Sequence, residues 1–147
     1  MKKLLSFILA FVLFAMPMCV EAYASDGDVN YDDLVMPCYT YIDSVGAGIS
    51  EAALGFVNCT SSCTSFQADK TFVLTCTLQR CTASSPWEAY KTKTETFSGK
   101  GSFTISKKWF APATYDGYRV LTTLTVKNSA GTVVETATKA SGVIYKY

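Results

Sequence analysis

Between Lys70 and Arg80 the chain alternates without a fault. Phe72, Leu74, Cys76 and Leu78 fall on one side, and Thr71, Val73, Thr75, Thr77 and Gln79 fall on the other. A period of two places successive side chains on opposite faces of an extended backbone, so this run reads as a strand with one face buried. Residues 39–147 are rich throughout in Thr, Val, Tyr and Phe, which suit a pleated, half-buried surface, and they contain no amphipathic helix.

The same reading predicts seven strands. The first covers Tyr39 to Ile49 and turns at Glu51-Ala52-Ala53 into a second at Leu54 to Thr60. The third is Lys70 to Arg80. After a break at Ser84-Ser85-Pro86 comes a fourth at Trp87 to Phe97, whose Tyr90, Thr92, Thr94 and Thr96 make a polar, β-branched face. The turn Ser98-Gly99-Lys100-Gly101 leads to a fifth at Ser102 to Phe110, with Phe103, Ile105 and Trp109 on one side. Pro112 ends that strand. A sixth runs from Gly117 to Lys127, and Asn128-Ser129-Ala130-Gly131 connects it to a seventh between Thr132 and Tyr147, whole or split at Ser141-Gly142.

Seven short strands with one apolar face each cannot bury those faces in a single open sheet, whereas two sheets packed face to face can. The expected fold is all-β, an immunoglobulin-like or fibronectin-type two-sheet antiparallel β-sandwich, with a small closed barrel as the competing architecture. Tyr118, opening the sixth strand after Gly117, stands where such sandwiches place a corner tyrosine whose hydroxyl bonds the backbone.

Ahead of this domain, Lys2 and Lys3 precede an apolar run from Leu4 to Met16, Pro17 closes it, and Ala22-Tyr23-Ala24 has the small residues that a signal peptidase needs. Residues 1–24 are expected to be a cleaved signal peptide, since the run is shorter than a membrane span. Met16-Pro17-Met18 before Cys19 lacks the small residues of a lipidation site. Residues 25–38 read as an acidic flexible leader and 39–147 as the sandwich domain. The expected location is therefore secreted, or extracellular, with no stable membrane anchor.

Removal of residues 1–24 leaves basic and acidic side chains in equal number, unevenly placed. Residues 25–69 hold seven acids and no base, and residues 70–147 hold eleven bases and four acids. No basic run exceeds Lys107-Lys108, which argues against nucleic acid as a partner.

Five cysteines follow the expected cut: Cys38, Cys59, Cys63, Cys76 and Cys81. In an oxidising exterior they are read as disulfides, although Cys59-x3-Cys63 and Cys76-x4-Cys81 also have spacing usable by zinc. If the second and third strands lie in facing sheets, the crossover near Gln67 sets Cys59 and Cys76 at equal height, making Cys59 to Cys76 the preferred bridge. Cys38 to Cys63 is the second candidate. Cys81 is then left free, or links two molecules.

The order Tyr41-Ile42-Asp43-Ser44-Val45, Thr75-Cys76-Thr77-Leu78-Gln79, Trp87 before a Lys/Thr-rich strand, Gly117-Tyr118-Arg119-Val120 and a Tyr-Lys-Tyr end resembles small secreted proteins of Gram-positive gut bacteria. These form a domain family of unknown function, DUF6147. The resemblance implies an exported sandwich and supplies no catalytic residues; Cys63 and Cys81 depart from its pattern.

The chain has no histidine, which removes the usual general base and the commonest metal ligand. Ser106 and Lys107 are adjacent on a strand and so point to opposite faces. Asp43, Glu51, Asp69, Glu88, Glu95, Asp116 and Glu135 lie near turns or on polar faces, where nothing would raise a carboxyl pKa for acid catalysis. Asp26 to Leu34 matches only the later half of a calcium loop, because the earlier ligand places fall at Ala22 and Ala24. Asn58-Cys59-Thr60 fits the glycosylation sequon, but its central residue reads as a buried cysteine. Trp87, Tyr90, Trp109, Tyr115, Tyr145 and Tyr147 could form a sugar-stacking platform if they shared a face; core packing is the competing role. No catalytic, cofactor-binding or metal residue is assigned. The expected function is a non-enzymatic interaction or adhesion module for a protein or carbohydrate outside the cell, with a small secreted hydrolase or effector using surface carboxylates as the alternative.

Overall fold

The structure, a computed structural model, describes residues 39–146. The expected signal peptide, the acidic leader with its partial calcium loop, Cys38 and Tyr147 lie outside the described residues.

Eight strands follow in order: β1 (Ser44–Glu51), β2 (Phe56–Ser65), β3 (Thr71–Thr82), β4 (Ser85–Ser98), β5 (Gly101–Phe110), β6 (Gly117–Lys127), β7 (Val133–Ala140) and β8 (Ile144–Tyr145). They form two antiparallel sheets. The smaller is ordered β1-β2-β5 and the larger β4-β3-β6-β7, with β8 beside β6 below β7. The chain crosses between sheets after β2, β4 and β5. The strands pair as two separate sheets, so the closed barrel is not what forms; the molecule is an all-β sandwich.

The alternation of β3 dictates the core. Phe72, Leu74, Cys76 and Leu78 are fully buried, as are Tyr118, Val120, Leu124 and Val126 beside them on β6. The inner face of the smaller sheet sets the small Ala47, Cys59, Ser61 and Cys63 around Val57 and Ile105, with Val45, Ile49, Phe103 and Trp109 packed at its margins. The two inner faces interdigitate, with Phe103 of the smaller sheet stacked on Phe72 of the larger at 6.4 Å between ring centres. Each large apolar side chain contributes about 1.5–3 kcal/mol by leaving water. A polar seam crosses the core where Ser61 and Thr122 share a 2.6 Å hydroxyl bond and Thr122 donates to the Gly46 carbonyl at 3.0 Å. Among the described residues, no buried side-chain nitrogen or oxygen lacks a hydrogen-bond partner.

Three connections follow from their residues. Asn128 accepts through Oδ1 from the Ala130 and Thr132 amides, and Gly131 takes φ +79°, closing the β6–β7 hairpin. Ala83 and Ser84 turn β3 into β4, so β4 starts before Trp87 and takes in Pro86, which an edge strand tolerates because its amide need not join the ladder. The first strand begins at Ser44 and not Tyr39. The amides of Thr40 and Tyr41 instead donate to the Glu135 carboxylate at 2.7 and 2.9 Å, tying this segment to β7 by a side chain. Ile42 is buried in the core there. The Tyr118 hydroxyl donates to the Pro112 carbonyl at 2.6 Å, the corner bond expected of that tyrosine.

Candidate interaction surface

Six of the seven candidate carboxylates have a local role. Glu51 pairs with Lys146, Asp69 with Lys70, Glu88 with Arg80 and Glu95 with Lys93; Asp116 accepts from the Ala83 amide, and Glu135 holds Thr40 and Tyr41. Ser106 and Lys107 pair with Thr60 and Cys59 respectively, and so take opposite faces of β5 as expected. Among the described residues no group of three Cys, Asp or Glu side chains could hold a metal, and no helix is long and apolar enough to cross a membrane.

Cys59, Cys63, Cys76 and Cys81 are free thiols in this structure, so the bridge expected between Cys59 and Cys76 is not formed in it. Cys59 on β2 and Cys76 on β3 belong to different sheets, both are fully buried, and they lie near enough for Cys76 to act on Cys59 electrostatically. Burial first, and Cys76 second, push the Cys59 thiol up to about 12. Burial pushes Cys63 up to about 11 and also raises Cys76, with the Ser61 hydroxyl opposing in the last case. Cys81 is half-buried near Gly117 and Trp87, so the four sulfurs do not converge on one point.

Among the described residues the aromatic platform is not assembled. Arg80 stacks between Tyr90 and Tyr115, 4.5 and 4.1 Å from their ring centres, while its Nε donates to Glu88 at 2.7 Å. Both tyrosines sit edge-on to Tyr118. Trp87 lies beneath the Arg119 guanidinium at 4.4 Å, on the opposite face of the larger sheet, and Trp109 packs against the core. These rings anchor arginines and fill the interior. Tyr145 is exposed on β8, opposite Gly117.

What the sequence did not announce is an apolar end on the outer face of the smaller sheet. After β1 the chain makes one turn of 3-10 helix at Ala53–Gly55, in which Leu54 takes φ +63° and ψ +33°. The left-handed region is costly for a bulky residue, about 1–2 kcal/mol. Yet Leu54 gains no burial from it, being 89 % exposed. Beside it Phe56 and Phe110 meet edge to face with ring centres 5.5 Å apart, Phe110 half exposed, and Lys108 lies 5.2 Å over the Phe56 ring. Gly55 follows at φ +77°, where an added Cβ would lie 3.1 Å from the Phe110 ring. Leu54 and Phe110 are thus turned toward solvent at this end of the sheet, with Phe56 half-buried against Phe110. The rest of that face, Gly46, Gly48, Thr60, Ser62, Thr104 and Ser106, is small and uncharged.

The outer face of the larger sheet is a threonine lattice. Thr94, Thr75, Thr123 and Thr138 are successive neighbours across β4, β3, β6 and β7, flanked by the rows Thr96, Val73, Thr125, Thr136 and Thr92, Thr77, Leu121, Ala140. Thr75 and Thr94 bond through their hydroxyls at 3.0 Å. Charges on this face stand only at its ends, on Arg119 and Lys127.

Compared with known proteins, the chain matches no family model and no curated sequence.

Proposed function

We propose that this protein is an exported, non-enzymatic interaction module of immunoglobulin-like or fibronectin-type architecture that docks a protein partner outside the cell through the apolar end of its smaller sheet. The observation that carries this reading is Leu54, an exposed aliphatic side chain on a left-handed backbone beside Phe56 and Phe110. Folding alone has no use for such a residue, since it pays in backbone strain and returns no burial; strained, exposed positions of this kind cluster at binding sites. A protein is favoured over a carbohydrate because the exposed group is aliphatic and phenyl, while the tryptophans and most tyrosines are engaged elsewhere. The architecture reading is supported by the crossings between sheets and by the Tyr118 corner bond. Relative to the constant-type immunoglobulin arrangement, the fourth strand joins the other sheet. Kinship with the DUF6147 proteins fits the same reading.

Export rests on the leader pattern of residues 1–24. Outside the cell, Cys59 and Cys76 would close as an inter-sheet bridge, each thiol giving up its hydrogen to an external oxidant such as molecular oxygen or an oxidised thiol. The docking reading is tested with a photo-crosslinking phenylalanine analogue at position 54, compared with the same group at Ser106 on the same face. A discrete protein adduct on the producing cells is expected from position 54 alone. Equal labelling from both positions, or none from 54, contradicts docking there.

A further inference from the structure

β4 is the longest of the described strands, 14 residues, yet it stands at the edge of its sheet with β3 as its sole partner. Soluble β proteins usually keep exposed edges short or broken, because an unpaired row of backbone N–H and C=O groups is a template for another strand. From Lys91 to Ser98 the register against β3 is unbroken, its irregularities all falling nearer the β3–β4 turn. The exposed half of β4 is therefore a regular ladder.

The side chains on that ladder follow a self-complementary order. Thr92, Thr94 and Thr96 face outward, while Lys91, Lys93, Glu95 and Phe97 face the inner side, opposite Leu78, Cys76, Leu74 and Phe72. The smaller sheet does not fully cover them: the Lys93 and Glu95 side chains are 42 % and 37 % exposed and lie 3.6 Å apart along their own strand.

We infer that β4 pairs with β4 of a second copy of this chain, antiparallel, about a two-fold axis through Thr94. In that register Thr94 meets its own counterpart and Thr92 meets the second copy's Thr96. Lys93 meets the second copy's Glu95, and the symmetry repeats the pair, since the same patch serves both subunits. The Lys91 stem lies against the second copy's Phe97, a contact that long aliphatic stems make readily. A shift of one residue sets the threonine face against the charged one. A shift of two puts lysine on lysine or glutamate on glutamate at the axis, and like charges directly opposite are destabilising. Inward charges on an edge can instead serve as guards against pairing. A guard must repel its own copy in every register, whereas these signs match in the register that also matches the threonines. β7 is the weaker candidate, being 8 residues long with Glu135 already held by Thr40 and Tyr41. Pairing through β4 carries the row Thr138, Thr123, Thr75, Thr94 unbroken into the second molecule and joins the two larger sheets as one.

Sedimentation equilibrium of the purified protein, in reductant so that no Cys81-linked species contributes, is expected to show a reversible dimer. Lys93→Glu sets acid against acid twice across the axis and should weaken the dimer at least about tenfold. Adding Glu95→Lys restores the match and should return the dissociation constant to near its original value. Both side chains are partly exposed, so each variant should keep the circular dichroism spectrum and melting midpoint of the parent, which separates lost pairing from lost folding. A chain monomeric at every soluble concentration, a dimer indifferent to Lys93→Glu, or a double variant no tighter than the single one overturns the inference.

Discussion

Tyr118 is buried to the ring, and its hydroxyl reaches the Pro112 carbonyl. Tyr118→Phe keeps the ring and removes the donor, and urea unfolding should read a loss of about 1 kcal/mol. Burial also pushes this phenol up to about 12, as it pushes the Cys59 and Cys63 thiols up to about 12 and about 11. Each group holds its proton more tightly folded than unfolded. The stability they contribute is therefore complete below the unfolded thiol value of 9.0 and is lost as pH climbs through the folded values. The stability read from unfolding against pH should be insensitive to these groups through neutrality and should fall above pH 9 in the reduced protein. Once Cys59 and Cys76 are bridged, part of that loss should disappear. The corner role of Tyr118 was legible because a tyrosine after glycine at a strand start is a local pattern. Leu54 was not, because positive φ is expected at Gly55 and nothing in Ala53-Leu54-Gly55 says that the leucine before it takes the same conformation.

At the scale of the element, the 3-10 turn and its neighbours separate stability from docking. Leu54→Asn keeps a residue that tolerates left-handed backbone and removes the exposed aliphatic group. The melting midpoint should hold or rise slightly while partner capture falls; a drop in the midpoint would mean that Leu54 is packed. Six of the seven expected strands correspond to β1 through β6, because period-two alternation and turn residues are local signals. The seventh takes the split form that Ser141-Gly142 allowed, as β7 and β8. The boundary at Tyr39 failed for a non-local reason, the Glu135 carboxylate that ties down Thr40 and Tyr41 from more than ninety residues away. The threonine rows were half legible. Thr92, Thr94 and Thr96 share a face on any strand, but their alignment with Thr75, Thr123 and Thr138 depends on register across three pairings.

Across the whole molecule, charge is placed at flanks, ends and edges, leaving two outer faces of hydroxyls, glycine and a small apolar end. Of the eleven bases from residue 70 onward, at least five are held in local contacts. Arg80 and Arg119 are stacked on rings, and Lys70, Lys93 and Lys146 pair with acids. Stability rests on the interdigitated interior, so Phe72→Ala should cost about 3–5 kcal/mol in chemical denaturation, the range for emptying an aromatic site in a packed core. Two layers were foreseeable from the number of one-faced strands; which strand pairs with which was not, since alternation is blind to partner choice. The measurement that bears most directly on an exported, oxidised sandwich is the intact mass of the protein recovered from the producing culture, taken with and without reductant. The expected result is a chain in the medium that begins after Ala24 and that gains a pair of hydrogens on reduction for every bridge it carries. An uncut chain retained in the cells, with the same mass before and after reduction, would contradict it.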